Sequence, residues 1–174
     1  MTQRPVTERL RFSVRAYLNH RHGPRQDNLV LREYVELPPG FNPRTLEWAA
    51  RLRSQPRLID ATPLQLADAV LNHIRAGFTY TLTPGAYGDS DEGRFAIDEF
   101  WLDRRQGFCE HFSTAFVVVM RALDVPARIV TGYQGIDLDP QDGWYAVRNS
   151  YAHAWAEIWI EGRGWLRVDP TAAV

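Results

Sequence analysis

From Phe108 to Leu123 the apolar residues recur with the period of a helix. Phe108, Phe112, Ala115, Phe116, Val119, Met120 and Leu123 fall at offsets of 0, 4, 7, 8, 11, 12 and 15. That spacing predicts a helix starting at or just after Gly107, with an apolar face wide enough for burial against a sheet. Pro126 ends it. Beyond Pro126 the chain has strand character instead: Arg128 to Tyr133, Trp144 to Arg148, Ala152 to Ile160 and Trp165 to Val168, separated by Gly, Asp and Pro turns. Gly162-Arg163-Gly164 is short enough for a tight hairpin. Helices first and short antiparallel strands last predict an α+β domain with the apolar helix laid on the sheet.

Upstream the signals are more mixed. Leu10, Phe12, Val14, Ala16 and Leu18 alternate with mostly polar residues, and Leu29, Leu31, Val35 and Leu37 suggest a second extended piece ending at Pro38-Pro39-Gly40. Residues 1–42 therefore read as an extended arm or edge strands, and 43–174 as the core of one domain spanning 1–174. Asn42-Pro43 and Thr62-Pro63 each set a capping side chain before a proline at a first helical position. The second helix carries Leu64, Ala67, Val70, Leu71 and Ile74 on one stripe and ends at Gly77. A short strand, Phe78 to Leu82, follows. Thr83 to Gly93, rich in Gly, Pro, Asp and Ser, reads as a surface loop, either a connector or the rim of a site.

Composition removes several function classes. A formal net charge of -1 gives no basic field to recruit nucleic acid. No run approaches the roughly 20 apolar residues of a membrane helix. Met1 to Leu10 lacks the apolar core of a signal peptide, so the domain is either cytosolic or part of a longer chain. A single cysteine rules out an internal disulfide and a zinc site built on several thiolates.

A lone cysteine is most often a small buried hydrophobe. Cys109, however, stands in Gln106-Gly107-Phe108-Cys109-Glu110-His111, at the open end of the apolar helix rather than on its central face. Unpaired N–H groups and the helix dipole there favour a thiolate and supply donors for the oxyanion of acyl transfer. Gly107 would let the backbone approach a substrate closely. A base is offered by His153, which shares a strand face with Tyr151, Trp155, Glu157 and Trp159, while the other face holds only Ala and Ile. Strand histidines among aromatics are more often structural. Asp169, at the end of the strand paired through the Gly162 hairpin, could accept the imidazole N–H, although an aspartate before proline is also a common turn residue.

Taken together, these segments resemble a family. Gly107-Phe108-Cys109-Glu110-His111-Phe112-Ser113-Thr114-Ala115 is similar to the nucleophile segment of bacterial transglutaminase-like domains. Arg121 to Arg128 with Thr131-Gly132-Tyr133 resembles the helix exit and next strand of that family. His153-Ala154-Trp155-Ala156-Glu157 and Gly164-Trp165 through Asp169-Pro170-Thr171 resemble its histidine and aspartate segments. The resemblance runs from about Phe78 to the C-terminus and is best for the extracytoplasmic domain of bacterial membrane proteins of the TgpA type. It implies a papain-like core, periplasmic placement, and membrane attachment only through segments absent from this chain. One departure is Tyr151, where many relatives have an acidic residue.

The implied chemistry is ping-pong acyl transfer. Cys109, activated by His153 and Asp169, attacks a glutamine-type carboxamide of a protein or peptide, and the thioester passes to an amine or to water. One oxyanion donor would be the Cys109 N–H. Gln106 and Trp101 are candidates for the second, and Trp155 for a wall of the cleft. A cysteine peptidase or amidase acting on peptide or cell-wall amides, and a non-catalytic peptide-binding module, are the alternatives. No cofactor or metal is expected. His20 and His22 form an H-x-H pair without further ligands, and Asp137, Asp139 and Asp142 lack the rest of a calcium loop. His111 should point away from the sulfur, and Glu110 reads as a helix-start carboxylate.

Overall fold

The protein is described by a computed structural model covering residues 7–17, 19–88 and 92–174. Leu18 of the alternating segment and Asp89–Asp91 of the loop lie outside the described residues.

The apolar helix is α5, Cys109–Ala122, with Phe108 in extended conformation as its N-cap. It lies on a three-stranded antiparallel sheet of order β3-β4-β5, formed by β3 (Ala127–Tyr133), β4 (Ala152–Ile160) and β5 (Gly164–Val168). Phe112, Ala115, Phe116, Val119 and Met120 are fully buried, and the small face of β4, Ala154, Ala156 and Ile158, meets them. Small residues on the strand let the helix approach closely. Each buried Phe or Val contributes about 1.5–3 kcal/mol. Gly162 at φ +75 and Gly164 at φ +82 turn the β4–β5 hairpin, a backbone that L side chains adopt only with strain.

On its other side α5 packs against α2 (Pro43–Arg53) and α3 (Pro63–Gly77). Helix α3 starts as its sequence predicts, with Thr62 and Gln65 forming a reciprocal capping box. Helix α2 does not. Asn42 takes a left-handed conformation, φ +48, and its side chain caps another segment by accepting from Ile97 N–H and Asp98 N–H. In exchange the buried Asp98 carboxylate accepts from the N–H groups of Arg44 and Thr45 and from the Thr45 hydroxyl. Asp98 belongs to a helical stretch absent from the sequence reading: a short α4, Ala96–Asp98, that widens into a π-helix over Glu99–Arg104.

Other expectations are corrected. Residues 10–17 alternate but form no strand, because no strand among the described residues pairs with them; Phe12 is 65% exposed and Val14 81%. The segment from Leu29 opens as a four-residue helix, α1 (Leu29–Arg32), because the Asn28 side chain accepts from Val30 N–H and Leu31 N–H. The strand expected over Phe78–Leu82 shrinks to β1 (Thr79–Tyr80), paired in parallel with β2 (Gln106–Gly107). Trp144–Arg148 is not a strand. It lies in an exposed excursion between β3 and β4, where Asp137 holds Arg148 in a bidentate pair and accepts from the Tyr151 hydroxyl at 2.6 Å. The arm does dock at residues 22–25: Trp165 N–H donates to His22 O, Gly162 N–H to Arg25 O, and the Trp159 indole to Pro24 O.

Candidate active site

Cys109 is the first residue of α5 and is half-buried. The N-terminus above it is finished by His111, whose Nδ1 accepts from the Phe108 N–H at 3.3 Å. Burial lowers the His111 pKa, the nearby Glu110 opposes this and Arg104 adds to the lowering; a neutral ring is what an accepting Nδ1 requires. Gly107 exists for this packing more than for substrate approach. A Cβ there would stand 2.8 Å from His111 Cβ and 3.0 Å from Phe100 Cε2.

Ser113, one turn beyond Cys109 on the same helix face, donates from its buried hydroxyl to Ala154 O at 2.9 Å. That bond ties the start of α5 to the residue following His153. His153 Nε2 and Asp169 Oδ2 are 2.8 Å apart, both side chains 15% exposed. Because a carboxylate only accepts, Nε2 carries a proton, and in the neutral ring Nδ1 holds the lone pair. Among the described residues no hydrogen bond joins the Cys109 sulfur to the imidazole. Asp169 Oδ1 accepts from the Thr171 N–H and hydroxyl, so the same carboxylate also caps the 3-10 turn Pro170–Ala173. Burial alone would raise the Asp169 pKa; the bonds from Thr171 and His153 outweigh it and hold the carboxyl below its ordinary range.

Trp155 stacks beside His153, ring centroids 6.4 Å apart, with the Arg167 guanidinium 4.3 Å from its ring and the Gly132 backbone close beneath. Arg167 also approaches Asp169 Oδ2 at 3.5 Å and donates to Gln134 Oε1 at 2.7 Å. Trp101 lies elsewhere. It is 0% exposed, packed against Trp48, His73 and Phe78, with its indole N–H unpaired, and it reaches no solvent-facing surface. Gln106 is exposed on β2 and its carbonyl accepts from the Tyr87 hydroxyl.

Two residues near the site escaped sequence reading, Arg167 and Tyr80. The Tyr80 phenol lies close enough to Cys109 and Asp169 for both to bear on its ionisation. A two-residue strand has no readable period, so nothing in the sequence marks Tyr80 as a neighbour of the cysteine. As for metals, no group of three or more His, Cys, Asp or Glu side chains among the described residues could hold an ion; Asp137 is engaged by Arg148 and Tyr151.

The profile of the transglutaminase-like superfamily matches residues 54–170. This chain belongs to that superfamily. A protein-glutamine gamma-glutamyltransferase of Pseudomonas aeruginosa is 37% identical over 99% of the chain, and an uncharacterised Bacillus subtilis protein, YebA, is 28% identical over 79%. The chain spans only 25% and 19% of the lengths of these two relatives. The crystal structure of the periplasmic domain of TgpA from Pseudomonas aeruginosa bound to ethylmercury superposes with a TM-score of 0.74 at 39% identity, covering 84% of this chain and 50% of that one. A putative cysteine protease from Cytophaga hutchinsonii shares the fold, with a TM-score of 0.56 at 21% identity. The transglutaminase-like fold is thus papain-like, an α5-type helix on an antiparallel sheet. No helix among the described residues is long and apolar enough to cross a membrane.

Proposed function

We propose that this domain is a cysteine acyltransferase that attacks a glutamine-type carboxamide of a protein or peptide and passes the acyl group to an amine. The observation that carries the reading is the 2.8 Å His153–Asp169 bond beside the open end of α5, which leaves imidazole Nδ1 as the base for Cys109. Nδ1 takes the thiol proton, the sulfur pair forms the S–C bond, and the carbonyl π pair moves to oxygen. Collapse of that intermediate expels the nitrogen, which leaves as ammonia with the proton returned by His153. An amine then attacks the thioester carbonyl and gives its proton to His153; the departing thiolate is reprotonated. Asp169 stabilises the imidazolium at both stages without itself being protonated.

The similarity to a gamma-glutamyltransferase supports the acyl donor, and the similarity to a periplasmic domain supports action outside the cytoplasm. Water as the final acceptor would make the same site an amidase or peptidase. Incorporation of a fluorescent primary amine into a glutamine-containing protein tests the proposal. Incorporation by wild type and its loss in Cys109→Ala are expected. Ammonia release that depends on Cys109, with no incorporation, selects the hydrolase, and activity that survives the substitution overturns both.

A further inference from the structure

An acyl-transfer site needs a second donor for the oxyanion, and neither residue that the sequence suggests supplies it. Trp101 is sealed in the core. Gln106 pairs with Thr79 in the parallel ladder, whereas Tyr80 pairs with Gly107. Successive residues of a strand face opposite sides and paired residues face the same side, so Gln106 and Tyr80 point to opposite faces. The Tyr80 ring stacks on Phe112, centroids 6.3 Å apart and planes within 16°, which places it along the first turn of α5 that begins with Cys109. Its backbone is pinned on that row, since Thr81 N–H donates to Gly107 O at 2.7 Å.

We propose that the Tyr80 phenol is the side-chain donor of the oxyanion site, acting with the Cys109 N–H; the assignment rests on the acyl-transfer reading above. The ring on Phe112 borders the start of α5, where the phenol can reach an oxygen bound at the Cys109 N–H. The incoming carbonyl oxygen accepts from the Cys109 N–H, and the phenol donates to the same oxygen. Tyr80 is 43% exposed, which gives the ring room to move and the substrate a way in. Burial pushes the phenol pKa up, with Cys109 and Asp169 adding to the rise against the Cys109 N–H, so the hydroxyl keeps its proton. As the S–C bond forms and the carbonyl pair moves to oxygen, two donors then meet the developing charge.

Tyr80→Phe tests this, because it removes the hydroxyl and keeps the ring on Phe112. Steady-state transfer from a glutamine peptide to a fluorescent amine, or to water, is measured together with the rate of Cys109 alkylation by iodoacetamide. Alkylation forms no oxyanion and also reports a folded, accessible thiol. A fall in kcat of about 10²-fold, with KM within about 2-fold and alkylation unchanged, is the expected result. Unchanged kcat overturns the assignment. So does a faster variant, which would make the hydroxyl a plug, and so does a matched loss of alkylation, which would make Tyr80 a support for the thiol. A wild type with no Cys109-dependent turnover sinks the acyl-transfer reading and Tyr80 with it, whereas an active wild type matched by Tyr80→Phe sinks Tyr80 alone.

Discussion

Residues 152–160 and residues 10–17 both alternate two kinds of side chain, Ala and Ile against His, Trp and Glu in the first and apolar against mostly polar in the second, yet only the first is a strand. Strand β4 has a partner on each edge and α5 on one face. Residues 10–17 have neither among the described residues, and their apolar side chains stand in solvent. Alternation therefore states a preference for an extended chain. The partner decides whether that preference becomes a sheet, because backbone hydrogen bonds and burial both need a second surface.

The contrast can be broken by substitution. Ile158→Ala in β4 should cost about 2–5 kcal/mol by removing buried volume under α5, read from the urea midpoint. A cost below about 0.5 kcal/mol would mean that β4 is no better supported than the arm. Ser113→Ala leaves the Ala154 carbonyl without its buried donor and should cost about 1–3 kcal/mol, with slower Cys109-dependent turnover as α5 loosens over β4. Trp159→Phe deletes the indole N–H that holds Pro24 O, at about 0.5–1.5 kcal/mol; amide exchange should rise over residues 22–25 before it rises in β4.

A pH titration sharpens the comparison at the third segment that failed as a strand, the excursion before β4. The Arg148 guanidinium first, then the Tyr151 hydroxyl, push the Asp137 pKa down to about 2. A carboxyl depressed in the folded state contributes order that is complete above its ordinary value and is lost as pH falls through the folded one. The excursion should therefore stay latched at pH 5 and release between about pH 4 and pH 2, seen as local proteolysis between β3 and β4. Release already at pH 5 would contradict the latch. Smallest of all, Val14→Ala should shift stability by less than about 0.5 kcal/mol; a larger shift would reveal a packing surface for the arm.

Much of the fold was legible where one local signal suffices. Thr62 and Gln65 make the α3 capping box, the seven-position apolar stripe makes α5, and Gly162 and Gly164 make the hairpin. Illegible features depend on distant partners. Asn42-Pro43 looks like a cap for its own helix, but the left-handed Asn42 serves residues 97 and 98 instead. The π-helix Glu99–Arg104, closed by Arg105 N–H to Phe100 O at 2.9 Å, departs from the period by which helices are read. In the candidate site, the sequence placed Cys109 at a helix start and His153 and Asp169 on neighbouring strands. Tyr80 and Arg167 stayed invisible because their relation to those three exists only across strand pairings and the α5 surface.

The exchanged caps bear on how the chain folds. Asn42 completes the start of α4 from 55 residues away, and Asp98 completes α2 from 53 residues in the other direction. Each helix alone lacks the group that closes its first turn, and nucleation is the costly step of helix formation. Both caps can therefore form only when the loop across α3 has closed, a longer-range contact than a local cap. A nascent chain released before residue 98 would hold α2 without that cap, whereas α3, closed by its own Thr62 and Gln65, needs no such partner.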